Sequence, residues 1–156
     1  MATVKMKFNG KKPSTMAYEI GTKAKKAVLE QIKVAALEHF DDNFNDQGFD
    51  GQSWKPRKEP KYGVKSWDKW NSGRAVLIGR GGQGGLRGSV KGRVHPRLGI
   101  VRISSDKVYA AVHNEGLRAG RGSGFMMPKR QFIGDSSALM KKIEAIIHRN
   151  IKPILK

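Results

Sequence analysis

The stretch KVYAAVHNEGLRAGRGSGFMMPKRQFIGDS, residues 107–136, decides how the rest of the chain is interpreted. Its first part alternates apolar side chains with others, and a period of two predicts a strand over Val108–His113. The tripeptide Asn114-Glu115-Gly116 has turn chemistry and ends that strand. The stretch therefore begins with a predicted half-buried strand that leads into a turn.

A glycine-rich segment follows the predicted strand. Residues 116–124 contain four glycines, two arginines and little apolar surface, so we predict a mobile basic loop over about 116–126. Pro128 then restricts the residue before it to extended conformations, and Phe132 is expected to anchor the chain again. A strand, a long basic loop and a proline-anchored return suit contact with a neighbouring protein better than enclosure of a small substrate.

Charge is distributed unevenly along the chain. Its 156 residues suit one domain with a modest core. The net charge is +18, and residues 61–130 alone carry 15 basic and 3 acidic groups. This excess favours a polyanion or an acidic protein surface as partner. The alternative is that the basic groups serve solubility alone.

Periodicity outside this stretch predicts the remaining elements. Thr3–Asn9 alternates and reads as a strand, and apolar residues at three- and four-residue steps predict a long helix that begins between Ser14 and Thr22 and ends near Asn45. Two further strands are predicted over residues 87–95 and 98–104, which would form an antiparallel meander with Val108–His113. Ser136 is a candidate N-cap for a second amphipathic helix.

These elements predict an α+β fold over a single domain, residues 1–156. A small antiparallel sheet is packed by the long N-terminal helix and the C-terminal helix. Mobile segments are expected at about 48–74, 79–85 and 116–126. Within the first of these, Trp54, Trp67 and Trp70 are expected to pin the segment onto the body or onto a neighbouring subunit, although stacking on nucleic-acid bases is an alternative.

Candidate chemistry is sparse. Residues 79–84, GRGGQG, match G-x-G-x-x-G, but the following GLRGSVKGRVHP does not favour the helix that a dinucleotide site requires. We interpret this segment as a basic loop, with an RGG-type RNA element as the alternative. The four histidines lack metal-ligand spacing, and the chain has no cysteine. We therefore predict no enzyme, no catalytic or metal site and no cofactor, and a hydrolase or nuclease whose groups converge in space is the competing hypothesis.

Three separated pieces of the sequence together resemble one family. They are GFDGQSWKP at residues 48–56, Leu77-Ile78 with LRGSV at 86–90, and YAAVHNEG at 109–116 followed by MPKRQFIG at 127–134. This ordered set resembles the virion morphogenesis (tail completion) family of tailed bacteriophages and related neck and tail-terminator proteins, in which YA-x-x-H-x-x-G and P-x-R-x-F-x-G flank a variable loop. The chain departs from the family pattern in the extra glycines before Leu86, in Lys129 and in Gln131.

The resemblance implies a structural virion protein. It implies a homo-oligomeric ring in the neck or tail that connects head-completion proteins to the tail tube around the DNA channel, with assembly in the host cytoplasm. No membrane contact is expected, because no apolar run approaches the length of a membrane span. The partners would be copies of the chain, other neck, connector and tail-tube proteins, and genomic DNA in the lumen. The residues assigned to subunit interfaces or the loop are Trp54, Tyr109, His113, Gly116, Arg118, Arg121, Pro128, Arg130 and Phe132. The candidate DNA-facing residues are Arg80, Arg87 and Arg93. A free, basic nucleic-acid-binding protein is the alternative.

Overall fold

The computed structural model describes residues 2–4, 22–56, 75–78 and 85–151. Three helices and seven short strands occur in this part of the chain. They are β1 (Ala2–Val4), α1 (Thr22–Asn45), β2 (Gly48–Phe49), β3 (Gln52–Ser53), β4 (Val90–His95), β5 (Ile100–Ser105), α2 (Ala110–Glu115), β6 (Arg118–Ala119), β7 (Phe125–Met126) and α3 (Ser137–Ile151). A single 3₁₀ turn, Arg87–Ser89, precedes β4. The predicted α+β class is confirmed.

The core lies where α1 crosses the main sheet and also packs against α3. Residues of α1 at helical spacing, among them Ile32, Ala36 and Phe40, are buried against Ile103 of β5 and Leu139 of α3. The helix ends at Asn45, as predicted, and its described part begins at Thr22, with earlier residues outside the described range. The apolar stripe read from the sequence is therefore the face that organises the core.

The main sheet is antiparallel with strand order β1-β5-β4. β4 and β5 confirm two strands of the predicted meander, although residues 87–89 form the 3₁₀ turn instead of the start of a strand. The third strand is β1, whose Val4 lies opposite Ile103. The N-terminal strand, predicted over Thr3–Asn9, thus pairs with β5 where the meander prediction places Val108–His113, and residues 5–9 lie outside the described range.

The predicted strand over Val108–His113 is wrong, because Ala110–Glu115 is helix α2. Ala110 and Asn114, four residues apart, are buried on one helical face, while Val108 is 87% exposed. Alanine favours helix over strand, so the two adjacent alanines favour a helix as much as the apolar alternation favours a strand. Gly116 ends α2 in the left-handed conformation, with φ of 72°.

Two segments expected to be irregular have regular structure. Residues 48–53 form the β2–β3 hairpin, which passes through Asp50 and Gly51 at positive φ, and Trp54 after it is buried. Residues 118–126 form the antiparallel β6–β7 ribbon. Long basic glycine-rich loops are therefore not confirmed at either place. The predicted loop over 79–85, except Gly85, lies outside the described residues, as do Trp67, Trp70 and Arg80.

Among the described helices, none combines the length and the apolar character that crossing a bilayer requires.

Candidate assembly interface

Asn114 organises the segment between α2 and α3. The side chain is 4% exposed, and its Oδ1 accepts hydrogen bonds from the backbone N–H groups of Phe132 and Ile133, both at 3.0 Å. In addition, Nδ2 of Asn43 on α1 donates to the Phe132 carbonyl at 3.1 Å. Phe132, which was predicted to anchor the chain, is thus held by the side chains of Asn114 and Asn43. The sequence did not predict either contact.

Arg130 and Trp54 connect this segment to the residues after β3. The Arg130 guanidinium donates from Nε to the Lys55 carbonyl at 2.8 Å and from Nη2 to the Pro56 carbonyl at 3.0 Å. The Trp54 indole N–H donates to the Gln131 carbonyl at 2.8 Å. Trp54 is therefore held on the body of its own chain, the first of the two alternatives predicted for it. Because Trp54, Arg130 and Phe132 are all buried in the single chain, they would act on a subunit interface indirectly, by fixing the surface around it.

Gly116 allows the chain to leave α2 and pass close to the return segment. A Cβ atom there would lie 2.9 Å from Lys129 Cβ and 3.0 Å from Lys129 N, both too close. The left-handed φ of 72° is a second reason for glycine. Gly116 thereby sets the direction in which the β6–β7 ribbon leaves the body.

We expect Gly116→Ala to lower the free energy of unfolding by about 1–3 kcal/mol, because strained backbone and a steric contact add to one another. Urea unfolding followed by circular dichroism measures the loss. Gly122→Ala is the matched control, since Gly122 has φ of 63° but nothing within 4 Å of the added methyl group. An equal loss for both variants would contradict the role of the Lys129 contact.

The β6–β7 ribbon contains the basic and apolar residues of the segment that was predicted to be a loop, about 116–126. Arg118 lies opposite Met126 and Ala119 opposite Phe125, and the glycine-rich tip carries Arg121. Phe125 is 57% and Met126 68% exposed, and both arginines are exposed. Neither strand packs extensively against another helix or strand of the described chain. The ribbon is therefore a surface appendage with unburied apolar side chains.

Tyr109, His113 and Arg130 converge beside the base of the ribbon. Together with apolar residues that include Leu77 and Leu86, they line a cavity of about 300 Å³. The Tyr109 and His113 rings meet edge to face at 6.0 Å. Nδ1 of His113 is buried without a hydrogen-bond partner in the described part of the chain. Three of the residues assigned from the sequence to subunit interfaces or the loop are thus brought together, and Pro128 lies half-buried in the irregular segment after β7.

Burial lowers the pKa of two histidines below the ordinary value. For His39 on α1 the main cause is desolvation, with Lys142 adding to it and Asp42 and Asp50 opposing it. For His113 the causes are desolvation and then Arg130. Both imidazoles are therefore held neutral in the fold at pH values where an unfolded chain is protonated.

Acidification is expected to destabilise the fold. As the pH falls from 7.5 to 5.5, it passes the ordinary histidine pKa of about 6.5. The unfolded chain then binds protons that buried His39 and partly buried His113 do not bind in the fold, so the free energy of unfolding decreases as the pH falls. Thermal unfolding at the two pH values measures the drop. The difference in melting temperature between pH 7.5 and pH 5.5 should be smaller in a His39→Gln/His113→Gln variant. A wild-type melting temperature that is unchanged or higher at pH 5.5 would contradict this account.

The outer face of the main sheet carries the second group of basic residues. Arg93 and Arg102 lie directly opposite each other on β4 and β5, and both are exposed. Neither has an acidic partner among the described residues, whereas neighbouring Lys91 bonds Asp106 at 3.1 Å. Opposed like charges are unfavourable in an isolated sheet, so this pair favours an anionic partner.

Arg87 is placed differently from Arg93. Its guanidinium forms a two-pronged ion pair with Asp41 of α1, from Nε at 2.6 Å and from Nη2 at 2.5 Å. This pair lies in a groove of about 390 Å³ between α1 and β4, whose lining includes Leu37, Phe44 and Val90. Arg87 thus belongs to the groove and Arg93 to the sheet face, and the two do not form one basic surface.

Within the described residues there is no group of three or more histidines or carboxylates placed to hold a metal ion.

Comparison with known proteins gives one match. No curated protein and no solved structure matches the chain. The model of the phage virion morphogenesis family matches residues 14–152, which is most of the chain. The chain therefore belongs to the phage virion morphogenesis family.

Proposed function

We propose that the chain is a ring subunit of the neck or tail of a tailed phage, which connects head-completion proteins to the tail tube around the DNA channel. Membership of the family indicates a structural role in the phage virion. The observation that supports the finer assignment is the β6–β7 ribbon, whose apolar side chains are exposed in the single chain. Apolar patches of this kind mark contacts with other proteins.

The charge on the outer sheet face supports a position beside DNA. Arg93 and Arg102 are opposed on adjacent strands, and neither forms an ion pair with an acidic residue among those described. A phosphate backbone in the lumen would neutralise both. In this arrangement the sheet faces the channel, while the ribbon contacts protein.

The proposal is tested by the mass of the purified protein and by its place in the particle. Light scattering after size exclusion should give a multiple of the 17.3 kDa chain mass, and labelled antibody against the chain should mark the head–tail junction in electron micrographs. A strict monomer that is also absent from purified particles would overturn the proposal.

A free nucleic-acid-binding protein is the second candidate, and the net charge of +18 favours it. That function predicts tight binding to bare duplex DNA, with an affinity that falls steeply as salt rises. Titration of labelled DNA at several salt concentrations separates the two functions. Tight binding by a monomer supports the alternative, whereas weak binding together with ring formation supports the structural role.

The ribbon should be dispensable for folding and required for assembly. Met127 N–H bonds the Leu117 carbonyl at 3.1 Å, so two glycines in place of residues 118–124 can connect Leu117 to Phe125. Because these residues contribute no buried apolar side chain, the helical circular dichroism and melting temperature should stay near those of the wild type. The assembled species should be lost in light scattering. Loss of helical signal in this variant would contradict the prediction.

A further inference from the structure

The β6–β7 ribbon presents a mixed apolar and basic surface. Leu117, Phe125 and Met126 are each 46–68% exposed, and residues 116–126 contain Arg118 and Arg121 but no acidic residue. Phosphates would satisfy the arginines and leave the apolar side chains in water. A partner that satisfies both must combine carboxylates with an apolar surface.

The groove between α1 and β4 has this combination. Leu37, Phe44 and Val90 contribute apolar surface, and Glu38, Asp41 and Asp42 contribute carboxylates. Arg87 neutralises Asp41, while neither Glu38 nor Asp42 forms an ion pair with any described residue. A volume of about 390 Å³ accommodates a large side chain.

The charge of the surrounding sequence makes this groove exceptional in the chain. Residues 34–54 carry five acidic groups and no Lys or Arg, although the whole chain has a net charge of +18. A polyanion would be repelled here, so the groove suits a basic partner. Among the described residues, none from the ribbon lines the groove, so the ribbon does not occupy the groove of its own copy.

We propose that the ribbon of one copy of this chain docks in the α1–β4 groove of the next copy. Phe125 or Met126 enters between Leu37, Phe44 and Val90, while Arg118 and Arg121 bond Glu38 and Asp42. Arg–carboxylate pairs of this kind fix orientation as well as adding energy. The inference rests on the proposed function in taking the partner to be another copy.

Contact between two different surfaces of one chain has a geometric consequence. Each copy offers a ribbon to one neighbour and a groove to the other, so the contact is heterologous and repeats head to tail. Such contacts form a ring where the rotation between copies closes and a filament where it does not. The docking thus provides a molecular joint for a ring subunit.

Charge reversal tests the contact. The ribbon variant carries Arg118→Glu and Arg121→Glu, and the groove variant carries Glu38→Lys and Asp42→Lys. Each alone should assemble only at concentrations at least about tenfold above wild type in light scattering, a change that corresponds to about 1.4 kcal/mol per contact. An equimolar mixture should assemble again, because native ribbon meets native groove and reversed ribbon meets reversed groove.

Controls separate this effect from a change in net charge. Arg97→Glu/Lys141→Glu matches the charge change of the ribbon variant, and Asp135→Lys/Glu144→Lys matches that of the groove variant, all at exposed positions. Both controls should assemble as the wild type does. Melting temperatures near the wild-type value establish that each variant is folded.

Cysteine cross-linking identifies the partner surface directly, since the chain has no native cysteine. A mixture of Phe125→Cys and Leu37→Cys proteins should form a disulfide-linked heterodimer under mild oxidation. Homodimers of either variant alone, or a link from residue 125 to another virion protein in particles, would overturn the docking.

The outcomes distinguish the two proposals. If the wild type assembles and the ribbon and groove variants assemble equally well, the docking is wrong while the ring stands. If the wild type is a monomer at every concentration and is absent from particles, both are wrong.

Discussion

Phe132→Ala is expected to lower the free energy of unfolding by about 3–5 kcal/mol. Phe132 is 1% exposed, and its ring centroid lies 5.4 Å from that of Phe44, which in turn lies 5.6 Å from Trp54. Removing the ring leaves a cavity between α1, the segment after β3 and the start of α3. That cavity cannot close easily, because the Phe132 backbone is fixed by Asn114 and Asn43.

Urea unfolding followed by tryptophan fluorescence and by circular dichroism measures this loss, since Trp54 lies beside the site. Phe125→Ala is the matched control, because it removes the same ring from the exposed ribbon. At protein concentrations too low for assembly it should change stability by no more than about 0.5 kcal/mol. Should the alanine variant fail to fold, Phe132→Leu retains most of the buried volume and should give a smaller, measurable loss. Similar stabilities for Phe132→Ala and Phe125→Ala would refute the anchor role.

Strongly periodic and locally capped parts of the fold were predictable from the sequence. The apolar residues at helical spacing in α1, which include Ile32, Ala36 and Phe40, form the buried face of the helix. The N-cap of α3 is visible in one residue, since Ser136 Oγ accepts the Leu139 N–H at 3.3 Å. These features depend on neighbours within one or two turns, which a sequence shows directly.

Short elements were not predictable in the same way. Helix α2 has six residues, and over that length apolar alternation and helical spacing are both consistent with the sequence. Whether these residues form a helix or a strand depends on the burial of Asn114 and on the close approach of Lys129 to Gly116, and both are tertiary contacts. The β2–β3 hairpin did carry a local signal, because Asp50-Gly51 is a favoured two-residue turn, but the flanking strands are too short to show alternation.

The candidate interface was predictable only in part. The glycine-rich segment with Arg118 and Arg121 pointed to contact with a partner, and the structure gives that segment the form of a ribbon. Nothing in the sequence places Glu38 and Asp42 beside Val90, because the groove brings together residues about fifty positions apart. Acidic residues on a helix face are ordinarily solvated, so the sequence does not predict that these carboxylates lie beside an apolar surface. Only the folded chain shows this combination.

Asn114→Ala is expected to cost roughly 2–5 kcal/mol, although it removes only three side-chain atoms. Oδ1 of Asn114 satisfies two buried backbone N–H groups, those of Phe132 and Ile133, and each buried donor left without an acceptor costs about 1–3 kcal/mol. The better helix propensity of alanine offsets part of this, by a few tenths of a kcal/mol. The net result should be a stability loss close to that of Phe132→Ala.

Hydrogen exchange separates this mechanism from a general loss of packing. In Asn114→Ala the amides of Phe132 and Ile133 should exchange faster by a larger factor than those in the middle of α1, because their acceptor is missing. Asn45→Ala, at the exposed end of α1, is the control and should leave both amides protected. Since Asn43 holds the carbonyl of the same residue, the Asn43→Ala/Asn114→Ala double variant should lose less than the sum of the single variants. Strict additivity, together with protected amides at 132 and 133, would show that the two asparagines do not act on Phe132 together.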